Sequence, residues 1–215
     1  VLIAPHPDDE TLGAGGTIAK FAERGSNISV LIVSGHLPPV YKAREFEKTK
    51  QEALLAFDEL GVHNFKFLKI PATMVHSYPT AELNKKILDF INNYKPEMVL
   101  IPFCDRHIDH RTIFDSAVVA CRPIKSYSPK IVLAYETISE THWNVPGVEP
   151  SFNPEFYVDI DKTLKKKIRA LEKYKSQLKN NESRSLEATK ALAKFRGSQN
   201  GCNYAEAFKV IRIVV

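Results

Sequence analysis

Cysteine is scarce in this 215-residue chain, and where it occurs it forms no pattern. Cys104, Cys121 and Cys202 include no CxxC pair, and their odd number argues against a disulfide framework. A reducing compartment, the cytoplasm, is therefore expected. No run reaches the roughly 18 apolar residues that a membrane span needs. The chain opens at Val1, already inside an apolar run, so a few residues are expected to precede it; nothing present has the pattern of a targeting signal, and one further upstream stays open. GxSxG is absent, and no serine stands paired with a base. Zinc-finger and RNA-recognition motifs are also missing, so no nucleic-acid partner is expected.

What is present bounds the chain further. A hydrophobic fraction of 44% over this length supports a full core. One α/β domain over residues 1–215 is expected, with helical elaboration from about residue 136. The formal charge of +5 is unevenly spread: Lys162 to Arg196 holds 12 Lys and Arg against 3 Asp and Glu, leaving the remainder slightly acidic. Two readings stand: solvated basic helix faces, which is the simpler, or a surface for an anionic partner such as a nucleotide-sugar or phospholipid.

Hydrophobic spacing alternates between strand and helix. Strands are predicted at Val1–Ala4, Ile28–Val33, Asn64–Ile70, Met98–Ile101 and Ile131–Tyr135, and helices at Thr11–Arg24, Lys42–Leu60, Thr80–Tyr94 and Arg111–Cys121. This alternation implies a Rossmann-like three-layer α/β sandwich with a mostly parallel sheet. After Glu136 come a loop from His142 to Phe152, helices over Lys162–Leu178 and Ser185–Phe195, and a last strand at Val210–Val215. The stripe Leu164, Ile168, Leu171 and Leu178 reads as core or as a subunit contact, which leaves a homo-oligomer open.

Two clusters carry chemistry. Pro5-His6-Pro7-Asp8-Asp9-Glu10 stands where the first strand ends and a helix begins. Asp105-Arg106-His107-Ile108-Asp109-His110 follows the strand at Met98–Ile101. Charges of this density cannot sit inside a strand and belong at a cleft. If strand order reverses between these two strands, the loops face each other across the crevice where open sheets bind ligands. Histidines and carboxylates meeting there suit a catalytic zinc site. Taken singly, Asp8 and Asp9 would also serve as helix N-caps, and HxDH as a surface loop.

The chain resembles the PIG-L/LmbE-like deacetylase family through His6-Pro7-Asp8-Asp9-Glu10, Gly13, Gly15-Gly16-Thr17 and His107-Ile108-Asp109-His110. The resemblance runs from Val1 to about Cys121, and more weakly through Arg196-Gly197 and Gly201 to Phe208. It implies hydrolysis of an N-acyl group, most often N-acetyl, on a glucosamine-type sugar conjugate, with one Zn2+ per chain. His6, Asp9 and His110 would be the metal ligands. Asp8 would be general base, His107 would stabilise the oxyanion and protonate the leaving amine, and Asp109 would orient a histidine. Amide hydrolysis needs each of these tasks filled. Iron or cobalt also suits such a ligand set. A metal-dependent esterase or phosphodiesterase, marked by two metals, and a non-catalytic sugar-binding protein are the alternatives; Asp8 and His107 argue against the latter.

Thr49 departs from the resemblance, since many members carry arginine there; Arg44 or Lys48, about one turn away, would substitute. Asp105 would orient His107. His36 and Arg44 are candidate substrate contacts, against the plain alternative of surface residues. Trp143 would stack on a sugar ring or simply pack. Gly13, Gly15 and Gly16 do not make GxGxxG and are expected to let the first helix pack closely. Cys104 reads as a small strand-end residue rather than a ligand.

Overall fold

The computed structural model describes residues 1–178 and 183–215. Five parallel strands lie in the order β3 (Asn64–Pro71), β2 (Ser29–Gly35), β1 (Leu2–Ala4), β4 (Met98–Pro102) and β5 (Ile131–Tyr135). Beyond β5 the sheet continues antiparallel through β7 (Ala205–Ile213) to an edge strand, β6 (Phe156–Asp159). Side chains alternate across the sheet because successive residues of a strand point to opposite faces. Leu2, Ala4, Val30 and Ile32 enter the core that contains α1 (Asp9–Glu23), α2 (Ala43–Leu60) and α5 (Leu164–Leu171). Ile3, Leu31 and Val33 enter the other core, with α3 (Thr80–Tyr94) and α4 (Ile108–Ala120). Both faces are covered, so the sandwich expected from the alternation is the one formed. The stripe Leu164, Ile168 and Leu171 is core. Among the described residues, no helix is long and apolar enough to cross a membrane.

Five elements depart from expectation. The helix expected over Lys162–Leu178 is α5 only as far as Leu171, because Lys173 and Tyr174 donate to carbonyls three residues back and tighten the chain into turns. The second C-terminal helix, α6 (Leu186–Ser198), begins where Ser185 accepts the Ala188 N–H, close to the expected start. The last strand starts at Ala205, five residues before the expected Val210, and the four-residue β6 gave no periodic signal of its own. Helices α1 and α4 each begin two or three residues earlier than expected, which puts Asp9, Asp109 and His110 in first turns.

Helix α1 is broken at Ala14 (φ −143°, ψ 17°). In an unbroken helix the Gly16 N–H would donate to the Leu12 carbonyl. Here a buried ion pair enters the gap. Lys167 Nζ donates to the Leu12 carbonyl (2.7 Å) and to Glu206 Oε1 (2.6 Å), while the Gly16 and Thr17 N–H groups donate to the two Glu206 oxygens (2.9 and 2.7 Å). Both side chains are buried, and between them they partner the freed Leu12 carbonyl and the Gly16 and Thr17 N–H groups. The glycines belong to the same packing: a Cβ on Gly13 would lie 2.2 Å from the Tyr135 ring, and one on Gly16 2.8 Å from Ile160.

The uneven charge has an intramolecular explanation. Lys166, Lys167, Arg169, Arg184 and Arg196 pair with Glu23, Glu206, Glu59, Glu140 and Glu136, acids that all lie outside the basic segment. Neither reading of the sequence foresaw this third use, a basic segment drawn onto an acidic α/β body. The exposed pairs contribute little, whereas the buried ones cannot lose a partner cheaply. Lys167→Met is expected to cost about 3–5 kcal/mol by leaving Glu206 buried and unpaired. Denaturant unfolding checks this, and adding Glu206→Gln should recover part of the loss.

Candidate metal centre

The chain runs outward from β1 through β2 to β3, then returns to place β4 against the other side of β1. Loops leaving the carboxyl ends of β1 and β4 therefore face each other across a switch-point crevice. Pro5 anchors the first loop, its carbonyl accepting from the Ser34 N–H (2.8 Å) and hydroxyl (2.9 Å).

Asp9 Oδ2 is the meeting point of the two loops. It accepts from the His6 backbone N–H (3.0 Å), lies 3.0 Å from His6 Nδ1, and is 3.2 Å from His110 Nε2. Carboxylates on the far sides fix both rings. His6 Nε2 lies 2.9 Å from Asp109 Oδ2, and that carboxylate also accepts the Thr73 (2.6 Å) and Val75 (3.2 Å) N–H groups. His110 Nδ1 lies 2.9 Å from Asp105 Oδ2, which also accepts from the Thr141 hydroxyl (3.0 Å). Asp105 thus holds the ring of His110. The expectation that it orients His107 is met only at the backbone, where its Oδ1 accepts the His107 N–H (3.1 Å).

His107 itself caps α4, its Nδ1 accepting the Asp109 N–H at 3.1 Å. That N–H can only donate, so the proton of the neutral ring is on Nε2. Asp8 is buried, with φ 115° in a region unfavourable to any residue with a Cβ. Glu10 holds this strained backbone: its Oε2 accepts the Asp8 N–H (3.1 Å), and its Oε1 accepts the Tyr174 and Thr11 hydroxyls (both 2.5 Å). Asp8 stands at the N-cap of α1, yet its side chain makes no capping bond. Its Oδ2 is instead a buried acceptor without a protein partner.

Electrostatics follow from this layout. Burial disfavours charge on His6 and His110, but their carboxylate neighbours prevail: His6 is raised to about 9 and His110 well above the usual imidazole range. Asp9 is held well below the carboxylate range, burial being outweighed by the two imidazolium charges. Asp8 is pushed upward by burial and by the charge of Asp9. His107 falls to about 4, through burial and the charges of His6 and His110. It is therefore neutral at physiological pH.

A cation fits this cluster. His110 Nε2 and Asp9 Oδ1 are buried polar atoms without a hydrogen-bond partner, and the nitrogens of His6, His107 and His110 lie within 4.8 Å of one another. Nitrogen and carboxylate oxygen are the donors zinc takes. Cys104 stands aside, its thiol pushed up by burial. Asp159, Asp161 and Cys202 form another group at the surface, but Asp161 already accepts the Tyr204 N–H (2.6 Å) and the Asn203 amide (2.9 Å).

The structure brings together His6, Asp8, Asp9, His107, Asp109 and His110. His36 is half-buried against the Tyr41 ring (4.4 Å), and burial and the charge of His6 lower its basicity. Arg44 and Lys48 are exposed on α2, and Thr49 is buried with its hydroxyl on the Glu45 and Phe46 carbonyls (3.1 Å each). The arginine whose charge reaches Asp8 and Asp9 is Arg184, which contacts Gln177 (3.5 Å) and Glu140 (3.6 Å). No motif marks it, and only the folding back of the C-terminal segment places it. Trp143 stands exposed at the end of the short turn Thr141–Trp143.

Strand-end histidines and carboxylates at the switch point of a mostly parallel sheet define a Rossmann-like hydrolase with a candidate metal centre. The chain belongs to the PIG-L family, matching it as GlcNAc-PI de-N-acetylase over residues 1–122, and is an enzyme with that family's N-acyl deacetylase activity. The diacetylchitobiose deacetylase of Thermococcus kodakarensis is 25% identical over 231 residues, covering 98% of this chain and 82% of its own. An uncharacterised deacetylase of Escherichia coli K12, YaiS, is 30% identical over 185 residues, covering 82% of this chain and 90% of its own. Among solved structures, the 4-carboxy-2-hydroxymuconate hydratase GalB of Pseudomonas putida KT2440 superposes with TM-score 0.79 at 20% identity, covering 100% of this chain and 96% of that one. At that identity the likeness bears on fold alone.

A histidine must be deprotonated to take a metal, and against burial its carboxylate neighbours raise His6 to about 9. Metal uptake near neutral pH is therefore expected to release protons, and affinity to rise with pH until that proton is gone. Calorimetric titration with zinc in buffers of different ionisation enthalpy measures both; pH-independent affinity between 6 and 8 would contradict the assigned charge state.

Proposed function

We propose that this enzyme hydrolyses the N-acetyl group of a glucosamine-type sugar conjugate, releasing acetate and a free amine, with one zinc ion held by His6, Asp9 and His110. One observation carries the reading: Asp9 Oδ2 sits between His6 Nδ1 and His110 Nε2, and the unpartnered Asp8 carboxylate lies beside that cluster. Three imidazoles converge, yet His107 is the least suited to bind a cation. Its Nδ1 is taken by the Asp109 N–H and its Nε2 carries the proton, so no lone pair faces the crevice. Asp9, bearing full negative charge, is the better third ligand. Zinc bound there would polarise the amide carbonyl and make water a nucleophile near neutral pH.

The chain's own groups supply the rest. Asp8 accepts the proton of the attacking water, its oxygen having no competing protein donor. A cation nearby would lower the basicity that burial has raised and keep Asp8 ionised. His107 offers its Nε2–H to the carbonyl oxygen as charge develops there, and with its Nδ1 lone pair taken by the Asp109 N–H it does not compete for the metal. As the C–N bond breaks, the amine needs a proton, and the one taken up by Asp8 balances it. Asp109 keeps His6 in one orientation by holding its Nε2–H, with two backbone amides fixing the carboxylate. The activities of the PIG-L family and of the diacetylchitobiose enzyme support an amino-sugar amide as substrate.

Asp8→Asn is expected to retain one zinc per chain while lowering kcat for acetate release about 10²–10⁴-fold. His107→Ala is expected to lower kcat about 10²–10³-fold. Metal analysis by mass spectrometry and acetate assays on N-acetylglucosamine conjugates check both. Undiminished turnover in Asp8→Asn would remove this mechanism.

A further inference from the structure

Asp9 is carried on the first turn of α1, and the break at Ala14 cuts that turn off from the rest of the helix. The Thr11 and Leu12 N–H groups both donate to the Asp8 carbonyl (3.0 and 2.8 Å), so residues 8–12 form one closed unit with the acids at its head. At its tail the Leu12 carbonyl accepts from Lys167 Nζ (2.7 Å). Across the break, the Gly16 and Thr17 N–H groups donate to Glu206 (2.9 and 2.7 Å), and the Gly16 carbonyl accepts the Thr163 hydroxyl (2.8 Å). Lys167 Nζ and Glu206 Oε1 are 2.6 Å apart. One ion pair, reaching in from α5 and β7, therefore joins the two pieces of α1. Gly15 leaves room for it, since a Cβ there would lie 3.2 Å from Lys167 Cγ.

A buried ion pair is a poor means of stabilisation, because apolar residues of like volume often serve as well or better. What this pair supplies is direction. Without it the Leu12 carbonyl and the Gly16 N–H would be buried and unpartnered, and α1 could satisfy both by straightening until they bond each other. Asp9 stands three residues before Leu12, about 4.5 Å along the axis. A tilt of so short a turn moves the carboxylate with it. Asp9 Oδ2 is closely confined, accepting the His6 N–H at 3.0 Å and lying 3.0 Å from His6 Nδ1 and 3.2 Å from His110 Nε2. Metal–ligand distances tolerate changes of only about 0.2 Å.

We propose that Lys167 and Glu206 are positioning residues for the metal centre: by holding α1 broken they fix the tilt of the turn that bears Asp9, and so set the zinc affinity of a site to which neither contributes a ligand. The proposal rests on the zinc site of His6, Asp9 and His110 proposed above. It separates metal binding from stability, because the pair's contribution to one does not depend on its contribution to the other.

Zinc affinity of the intact enzyme, read by competition with a chelating dye at fixed pH, and denaturant unfolding of the metal-free protein test this together. Lys167→Met with Glu206→Leu leaves no charge unpaired and is expected to regain the stability that Lys167→Met alone loses. It is nevertheless expected to bind zinc about 10–100-fold more weakly than the unaltered enzyme. Its Co2+ form should also show a changed visible spectrum, which reports ligand geometry and is indifferent to global stability. Lys167→Met with Glu206→Gln serves if the apolar variant does not fold: an amide oxygen remains for the Gly16 and Thr17 N–H groups, but the Leu12 carbonyl has lost Lys167, and zinc binding is expected to fall about tenfold. Unchanged affinity and spectrum in a variant that folds would overturn the inference while leaving the zinc site intact. Failure of both variants to fold would make the pair a stability element and overturn it as well. No zinc on the unaltered enzyme would remove the zinc-site reading itself, and the inference with it.

Discussion

A carboxylate wedged between two imidazoles is the interaction on which this structure turns. Asp9 is buried, and a buried charge persists only when it is paired and hydrogen-bonded. Its partners come from both halves of the crevice, His6 three residues before it and His110 on α4. The adjacency of β1 and β4 is thus a chemical requirement as well as a topological one. Each histidine then needs its outer nitrogen satisfied, and Asp109 and Asp105 do so while taking backbone amides from their surroundings. The result is a chain of opposite charges in which no member can be removed without leaving another unpaired. Such rigidity suits the candidate metal centre of a deacetylase, where an amide must be oriented within tenths of an ångström.

The second demand is that the start of α1 reach this network. Asp8, Asp9 and Glu10 are successive buried acids, and their placement requires one strained residue and a helix broken a turn later. Both irregularities are supported from the C-terminal part of the chain. Tyr174 holds Glu10, which holds the Asp8 backbone; Lys167 and Glu206 enter the break at Ala14. The basic segment after residue 162 therefore serves the site at a distance. Its charge is drawn onto the acidic α/β body, and Arg184 extends it to the mouth of the crevice.

The particulars show where a sequence speaks plainly and where it does not. His6, Asp9 and His110 were legible as candidates because two dense clusters of charge at strand ends have few structural uses. The inner parallel strands β1, β2, β4 and β5 were legible for a similar reason: strands buried on both faces read as continuous apolar runs, as at residues 30–33 and 98–101, whereas the edge strand β3 was legible from alternation. β6 was not, being four residues at a sheet edge, half-buried and without alternation. The partner of Asp105 was misjudged because HxDH spacing places both histidines within its reach, and only the first turn of α4 decides which ring turns toward it. Arg44 was the natural reading for a cationic contact near Thr49, yet helix phase leaves it in solvent.

The sequence by itself determined the fold class, the two clusters that must converge and the chemistry their side chains could share, because these depend on residue type, local spacing and the cost of burying charge. Tertiary structure alone decided which nitrogen of each histidine faces Asp9, that His107 presents a proton rather than a lone pair, and that Arg184 and Lys167 serve the α1 side of the site, more than 150 residues away in the chain. Those outcomes are set by hydrogen-bond directions and long-range pairing. Neither leaves a periodicity or a motif in a linear sequence, since the partners come from elements whose approach is fixed only when the sheet closes.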